Sequence, residues 1–330
     1  MSAEPIRLHI DNERGLGEVF EISEHRLAAA LARFPDLAGR IAYTIGYDCE
    51  RLDERLADAD ALVCWKIPLE RMAARAPKLR WIHVTGAGNE YFAPFDWLPD
   101  RTTFTNNRGV HGARADEYAI MAVLMLNNRV PEMVTHQRAG RWQQTFNTGI
   151  AGKTLLVVGV GNVGAGVAAW AKRFGMTVIG VRRSSEPHDA VDEMHGPDAI
   201  GALIPRADFI IITAPATAQT AHLIGRTEIA AMRPGTGIVN YSRAKLVDYE
   251  ALAERLERGE ISAILDVFDP EPLAADSPLW QTPNLIITPH CSSDDSDLYI
   301  ARTLDLVCAN LRRFLAGEPL ANRVDPVLEY

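Results

Sequence analysis

The sequence has few of the features that would place it outside ordinary intracellular globular proteins. Its four cysteines form no CxxC pair and have no metal-type spacing with the nine histidines, which argues against a disulfide framework or a zinc site. The longest purely apolar run, Ala119 to Leu126, has eight residues, whereas a membrane-spanning helix needs roughly 20. Residues 1–5 contain neither a basic nor an apolar signal region, so we expect no secretory signal and a cytoplasmic location.

The sequence also lacks a basic block. Its 34 basic and 43 acidic residues give a net charge of −9, which argues against a nucleic-acid or membrane-surface partner. With 330 residues, of which 47% are hydrophobic, the chain is long enough to bury the cores of two domains. If the ligand is an anion, local arginines must bind it against an unfavourable overall field.

Short β-rich runs alternate with longer amphipathic runs, a pattern typical of βαβ units and parallel sheets. Five runs predict the strands of a first sheet, at 6–10, 41–45, 61–65, 81–85 and 102–106. Six more predict a second sheet, at 154–159, 176–181, 208–213, 236–241, 262–268 and 284–290. The fold class is therefore α/β, with two doubly wound parallel-sheet domains that we expect to flank a cleft.

Helices are predicted at 24–33, 112–128 and 295–316, among others. Acidic residues near the start of the second helix suit the positive end of its dipole, and Pro131 is expected to help end it. The helix at 295–316 is expected to cross back to the first domain. His83 and His111 are interpreted as structural residues.

The stretch LLVVGVGNVGAGVAAWAKRFGMTVIGVRRSS, residues 155–185, predicts a strand, a glycine turn, a helix and a second strand. Gly159, Gly161 and Gly164 match the GxGxxG pattern, in which glycines permit a tight turn and close approach to a pyrophosphate. Asn162 and Val163 lie in the helix start, where free N–H groups bind phosphate. The alternative is an ordinary tight turn between strand and helix.

The second strand ends at the position where an acidic residue usually binds the adenosine ribose. Here Arg182, Arg183 and Ser184 follow instead. Two guanidinium groups and a hydroxyl predict a site for a 2′-phosphate, and therefore NADP(H) as the preferred cofactor with NAD(H) possible. The alternative is a solvated turn in which Glu186 or Asp189 binds the ribose.

Polar residues follow three later strands at the ends where parallel sheets bind ligands. Arg243 follows the first of these strands, Asp266 and Glu271 follow the second, and His290 follows the third. We expect them to converge beside the nicotinamide. Each also has an ordinary interpretation, as a loop charge, a capping arginine, a turn acid or a structural histidine.

With HVTGAG at 83–88 and RAGRW at 138–142, these segments appear in an order that resembles the D-isomer-specific 2-hydroxyacid dehydrogenase family over nearly the whole chain. The resemblance implies that His290 exchanges a proton with the substrate oxygen while hydride moves between the nicotinamide and C2 of a 2-oxo acid. Glu271 would hydrogen-bond His290 and stabilise its protonated form. Arg243 would bind the substrate carboxylate and polarise its carbonyl group.

The resemblance also implies that backbone N–H groups of Ala87 and Gly88 bind the same carboxylate, and that Asp266 contacts the nicotinamide side of the cofactor. It implies a flavodoxin-like substrate domain at 1–104 and 294–330, a Rossmann-type dinucleotide-binding domain at 105–293, and a homodimer formed through the latter. No metal is implied.

Three positions depart from the family pattern. Ala244 and Lys245 stand where the family usually has glycine, so this loop is expected to differ locally, and Cys291 to Ser293 follow the histidine in place of smaller residues. Lys66, after the third strand, is interpreted either as a contact for a second anionic group of the substrate or as a solvated lysine.

Two classes of function remain open. The first is an NADP(H)-dependent reductase of 2-oxo acids, of the glyoxylate or hydroxypyruvate type, with an NAD(H)-dependent 2-hydroxyacid or phosphoglycerate dehydrogenase as its variant. Only 40 residues follow His290, which disfavours a phosphoglycerate dehydrogenase with a regulatory domain. The second is a non-enzymatic, dinucleotide-sensing binding protein of the co-repressor kind, against which the lack of long disordered tails argues.

Overall fold

The computed structural model describes residues 4–329, and strands alternate with helices along them. The strands are β1 Ile6–Asn12, β2 Ile41–Tyr47, β3 Ala61–Cys64, β4 Trp81–Val84, β5 Thr103–Thr105, β6 Thr154–Val158, β7 Thr177–Val181, β8 Glu193–His195, β9 Phe209–Ile212, β10 Gly237–Asn240, β11 Ser262–Leu265 and β12 Leu285–Ile287. The helices are α1 Glu24–Ala32, α2 Leu52–Leu56, α3 Met72–Arg75, α4 Gly112–Asn127, α5 Val130–Arg138, α6 Asn162–Arg173, α7 Ile200–Leu203, α8 Arg226–Ala231, α9 Tyr249–Glu257 and α10 Tyr299–Ala316.

The chain forms two compact units. Unit 1 runs up to Val110 and resumes at Asp295, and unit 2 is the continuous segment His111–Asp294. The sequence-based boundaries, after 104 and after 293, lie close to these but assign Asp294 to the first domain and residues 105–110 to the second. Those residues belong to unit 1 because Asn107 donates hydrogen bonds from its backbone to Gly86 O (2.9 Å) and from its side chain to Thr85 O (2.8 Å).

Unit 1 contains a five-stranded sheet in the order β2-β1-β3-β4-β5, with all neighbours parallel. The apolar faces of α1 and α10 pack together with residues of β1 and β3 in one core. Helix α10 therefore returns to the first domain, as the sequence predicted, although it begins at Tyr299 rather than 295.

Unit 2 contains a seven-stranded parallel sheet in the order β12-β11-β10-β9-β6-β7-β8. The direction of chain progression reverses between β6 and β9, and ligands of such sheets bind at this switch point. Apolar residues on both faces form two cores, which explains the near-continuous hydrophobic runs of the central strands.

Two features of unit 2 differ from the sequence-based expectation. The edge strand β8 was not predicted, because its three residues, Glu-Met-His, carry no apolar run. Pro131 was expected to help end the helix at 112–128, but α4 ends at Asn127 and Pro131 lies in the first turn of α5, where proline needs no N–H partner. The chain turns between α4 and α5 at Arg129, whose φ is +54°.

Within residues 4–329, no helix has both the length and the apolar composition that crossing a bilayer requires.

His83 lies in the centre of unit 1. It is fully buried in β4, and its Nδ1 lies 2.9 Å from the hydroxyl of Thr105 on the neighbouring strand, which also accepts a hydrogen bond from Trp81 Nε1 at 2.8 Å. Burial lowers the pKa of His83 to about 4. The histidine is therefore neutral in the folded protein, in agreement with its interpretation as a structural residue.

This burial predicts a pH dependence of stability. An unfolded histidine titrates near 6.5, so between pH 6.5 and 4 the unfolded chain binds a proton that the folded chain does not. The free energy of unfolding should therefore fall by roughly 2 kcal/mol from pH 7.5 to 5 through this residue alone. Urea unfolding at both pH values should show a smaller difference in His83→Gln than in wild type. The exposed His25→Gln variant is the control, and equal differences in all three proteins would contradict the assignment.

Candidate active site

The predicted site residues of unit 2 follow strands that all point the same way, so the sheet brings them to one edge. Gly159 follows β6, Arg182 follows β7, Arg243 follows β10, Asp266 follows β11 and His290 follows β12. Because all strands of the sheet are parallel, residues that follow different strands lie at the same edge, even when they are far apart in sequence.

The glycine turn between β6 and α6 has the geometry that its sequence predicts. Gly159 has φ +110°, and a Cβ there would overlap the backbone of Ala214. A Cβ at Gly164 would overlap the carbonyl oxygen of Gly159, which accepts a hydrogen bond of 2.5 Å from the hydroxyl of Thr213 after β9. Glycine is therefore required at both positions for the strand, the turn and the helix to pack this closely.

The same turn has room for a phosphate group. Gly161 is the N-cap of α6, no side chain caps the helix there, and the space around the position of its absent Cβ is open to 4 Å. The N–H groups of the first turn, from Asn162 to Gly164, thus lack intrahelical acceptors at the positive end of the helix dipole. These residues fit the pyrophosphate of a dinucleotide.

Arg182 leaves the end of β7 half-buried, and Arg183 and Ser184 are exposed. The Arg182 guanidinium donates to Glu186 O at 2.8 Å and lies 3.7 Å from the Glu186 carboxylate. Arg182, which is predicted to bind the 2′-phosphate, thus lies next to Glu186, which the alternative assigns to the ribose.

His290 and Glu271 form a hydrogen-bonded pair. His290 Nδ1 lies 2.6 Å from Glu271 Oε2, and Glu271 Oε1 accepts the backbone N–H of Phe268 at 2.7 Å. Because the Glu271 carboxylate accepts hydrogen bonds from both Phe268 N–H and His290 Nδ1, the Nδ1 atom of His290 carries a proton. Nε2 is then the ring nitrogen that can exchange a proton with a substrate, and the side chain is 45% exposed.

Asp266 holds the loop that carries His290. Its carboxylate, on a residue that is 0% exposed, accepts hydrogen bonds from the hydroxyl of Thr288 and from the N–H groups of Cys291 (3.2 Å) and Ser292 (3.3 Å). Its carbonyl oxygen accepts the N–H of His290 at 2.8 Å. His290 itself has φ +49°, a conformation that these bonds help to maintain. A contact between Asp266 and a nicotinamide remains a prediction.

The loop after β10 places Arg243, and Asn240 fixes its shape. The buried Asn240 donates from Nδ2 to Arg243 O at 3.0 Å and accepts the N–H of Ser242 at Oδ1. Ala244 begins a short 3₁₀ turn that ends at Leu246, in which φ is negative. The absence of glycine at 244 and 245 is therefore accommodated without backbone strain.

His111 lies beside the loop that follows His290, a position that the sequence did not predict. Its Nδ1 is 3.3 Å from Ser293 O and 3.5 Å from Asp294 Oδ1, so it contacts the loop that follows His290. Burial lowers the pKa of His111, and nearby Arg243 and His290 lower it further, while Asp294 opposes the shift. Burial likewise raises the pKa of Asp294.

The three remaining predicted residues lie in unit 1. Ala87 and Gly88 follow β4; Ala87 is exposed, and its carbonyl oxygen accepts a hydrogen bond of 2.9 Å from Asn106. Lys66 follows β3 and is exposed, with Nζ 5.2 Å from the centre of the Tyr91 ring. Their contacts with a substrate remain predictions.

Among residues 4–329 no cluster of three or more histidine, cysteine, aspartate or glutamate side chains could hold a metal ion.

Comparison with known proteins identifies the family to which the chain belongs. Residues 120–292 match the NAD binding domain of the D-isomer specific 2-hydroxyacid dehydrogenases. The chain belongs to this family. A glyoxylate reductase of Korarchaeum cryptofilum is 31% identical over 285 residues, which are 82% of this chain and 84% of that protein.

A D-3-phosphoglycerate dehydrogenase of Methanocaldococcus jannaschii is 32% identical over 295 residues, which are 87% of this chain but only 56% of that protein. Among solved structures, a D-isomer specific 2-hydroxyacid dehydrogenase of Xanthobacter autotrophicus, in complex with NADPH and MES, superposes with a TM-score of 0.83. It is 28% identical, and the match covers 99% of this chain and 100% of that one.

This 2-hydroxyacid dehydrogenase is thus an oxidoreductase that uses a nicotinamide dinucleotide, and its two parallel-sheet α/β units have the fold of the family. Both expectations from the sequence are confirmed.

Proposed function

We propose that the chain is an NADP(H)-dependent reductase that converts small 2-oxo acids of the glyoxylate and hydroxypyruvate type into D-2-hydroxy acids. The observation that carries the proposal is the 2.6 Å hydrogen bond between His290 and Glu271, at the sheet edge that also holds Arg243 and the glycine turn. The likeness to a glyoxylate reductase and to an NADPH-bound structure supports it.

In the proposed reaction, a nicotinamide dinucleotide held at the glycine turn would supply the hydride that C2 of the oxo acid accepts. Arg243 binds the substrate carboxylate through its planar guanidinium group and polarises the carbonyl group. His290 gives the proton on Nε2 to the developing alkoxide, and Glu271 stabilises the imidazolium that precedes this transfer and orients the ring. Backbone N–H groups of Ala87 and Gly88 are proposed to bind the same carboxylate.

Replacing His290 should remove the proton donor while preserving the loop. Asn tolerates the left-handed conformation that His290 adopts, so His290→Asn should lower kcat by about 10²- to 10⁴-fold. The matched control is His222→Asn, because His222 is exposed and also has a positive φ, of +52°. The measurement is steady-state reduction of glyoxylate, hydroxypyruvate, pyruvate, oxaloacetate and phenylpyruvate with NADPH. A wild-type protein that reduces none of them, with either cofactor, would instead favour a dinucleotide-sensing binding protein.

For the cofactor, we propose that Arg182, with Arg183 and Ser184, binds the 2′-phosphate of NADP(H). Arg182 is half-buried at the end of β7, and its guanidinium is already oriented by the carbonyl oxygen of Glu186. A fixed guanidinium group binds a phosphate with little further loss of side-chain freedom. The competing group is the Glu186 carboxylate, which would favour a ribose hydroxyl and NAD(H).

Arg182→Asp should therefore reverse the cofactor preference. A charge-assisted contact with a phosphate is worth a factor of roughly 10 to 100, so kcat/KM with NADPH should fall by that factor while kcat/KM with NADH holds or rises. Arg173→Asp makes the same charge change at an exposed position at the other end of α6. A wild-type enzyme that prefers NADH would overturn the assignment.

Lys66 is proposed to favour substrates that carry a second anionic group. In unit 1 its ammonium group stays near the Tyr91 ring, whose hydroxyl donates to Ile67 O at 3.1 Å, so both side chains are held near the end of β3.

Lys66→Met should leave kcat/KM for glyoxylate within about twofold and raise KM for oxaloacetate roughly tenfold, because only the latter would lose a charged contact. Lys78→Met, at an exposed lysine paired with Asp58, serves as the control. Equal effects of Lys66→Met on both acids would show that Lys66 is merely solvated.

A homodimer formed through unit 2 is also proposed. Its support is exposed apolar surface on this unit, where Trp142 is 93% and Phe146 is 85% exposed and Met121 and Trp170 project from α4 and α6. Burying large apolar side chains such as these against a second copy of the chain would be favourable.

A further inference from the structure

Tyr249, the first residue of α9, connects two loops of the candidate active site through its hydroxyl group. The hydroxyl donates to Val267 O at 2.8 Å and accepts a hydrogen bond of 3.0 Å from Asn240 Nδ2. Val267 follows Asp266 at the end of β11, whereas Asn240 ends β10. One side chain thus connects the segments that follow two adjacent strands.

Asn240, which donates to the Tyr249 hydroxyl, also donates to the backbone of Arg243. The Asn240 side-chain amide has two hydrogens, of which one is donated to Tyr249 and the other to Arg243 O at 3.0 Å. Since Asn240 is fully buried, each of these hydrogens needs a partner inside the protein. The backbone of Arg243 is therefore held by an amide whose own orientation depends on the Tyr249 hydroxyl.

Val267 is a firm anchor for this connection. It is buried, and the next residue, Phe268, donates its N–H to Glu271 at 2.7 Å. The Tyr249 and Phe268 rings also pack edge to face, with centroids 6.2 Å apart. Burial raises the pKa of the Tyr249 phenol, which keeps the hydroxyl protonated and able to donate.

We propose that Tyr249 is a positioning residue for Arg243, which it holds in place through Asn240 with the carbonyl of Val267 as the anchor. The inference rests on the proposed function, in which Arg243 binds the substrate carboxylate. Without the hydroxyl, Asn240 would have a buried donor with no acceptor, its side chain would reorient, and the Arg243 loop would lose its fixed shape. Misplacement of a substrate-binding group by about 1 Å can cost two orders of magnitude in rate.

The test is Tyr249→Phe, which keeps the ring and its packing on Phe268 and removes only the hydroxyl. We expect kcat/KM for glyoxylate with NADPH to fall about tenfold, mainly through KM, and the Kd of oxamate for the NADP-loaded protein to rise by a similar factor. The Kd of NADPH should change less than twofold, because the Tyr249 hydroxyl bonds to residues at the ends of β10 and β11, whereas the glycine turn follows β6. The control is Tyr43→Phe, which removes an exposed hydroxyl that donates to Glu24 in unit 1 and should leave all these values unchanged.

A double-mutant cycle identifies the route of the effect. If Tyr249 acts through Arg243, Tyr249→Phe should lower kcat/KM in an Arg243→Lys background by less than about threefold. Full additivity, or a loss in kcat with unchanged KM and oxamate Kd, would overturn the proposal. So would a loss of NADPH affinity or a fall in Tm that accounts for the loss of activity, since either indicates a general structural role. Lack of turnover in the wild-type protein would instead refute the proposed function, and a Tyr249→Phe enzyme equal to an active wild type refutes only this inference.

Discussion

The arrangement of unit 2 depends on one buried carboxylate. A buried aspartate carboxylate is costly unless its oxygens are hydrogen-bonded, and among residues 4–329 the Asp266 carboxylate has its hydrogen-bond partners in the segment that follows β12. This requirement constrains the loop, because moving residues 288–292 away would leave the buried Asp266 carboxylate without hydrogen-bond donors. The same loop carries His290 in a left-handed conformation, so a carboxylate at the end of one strand constrains the orientation of the proposed proton donor at the end of the next.

The parallel sheet explains why this arrangement is possible at all. Asp266 and His290 follow neighbouring strands β11 and β12, and Arg243 follows β10 on the other side of β11. Parallel neighbours end at the same edge, so short side-chain hydrogen bonds can link three segments that are far apart in sequence. The glycine turn after β6 lies at the same edge, on the other side of β9, where the strand order reverses. The residues proposed for proton transfer and those proposed for cofactor binding thus follow different strands of one sheet.

The sequence predicts much of this fold because its strands are apolar runs bounded by polar turns. It predicts the glycine turn because Gly159 and Gly164 are required by sterics that involve neighbours in the chain or in the sheet. It does not predict β8, whose residues carry no apolar pattern, nor the start of α5 at a proline. The connections of Asn240 to Tyr249 and of His111 to Asp294 also escape prediction. They depend on which loops become neighbours, and that information lies in strand order rather than in local spacing.

The division of the chain also has a consequence for its synthesis. Unit 2 is continuous, so all of its strands are available once residue 294 has been made. The core of unit 1, in contrast, includes six or more residues of α10, among them Leu304, Val307 and Leu311, which the ribosome adds nearly 200 residues after β5. Until then one face of the first sheet has no cover from α10, and exposed apolar sheet surface of this kind promotes aggregation. Unit 2 can therefore complete its fold during translation before unit 1 does, although unit 1 contains the first residues to be made.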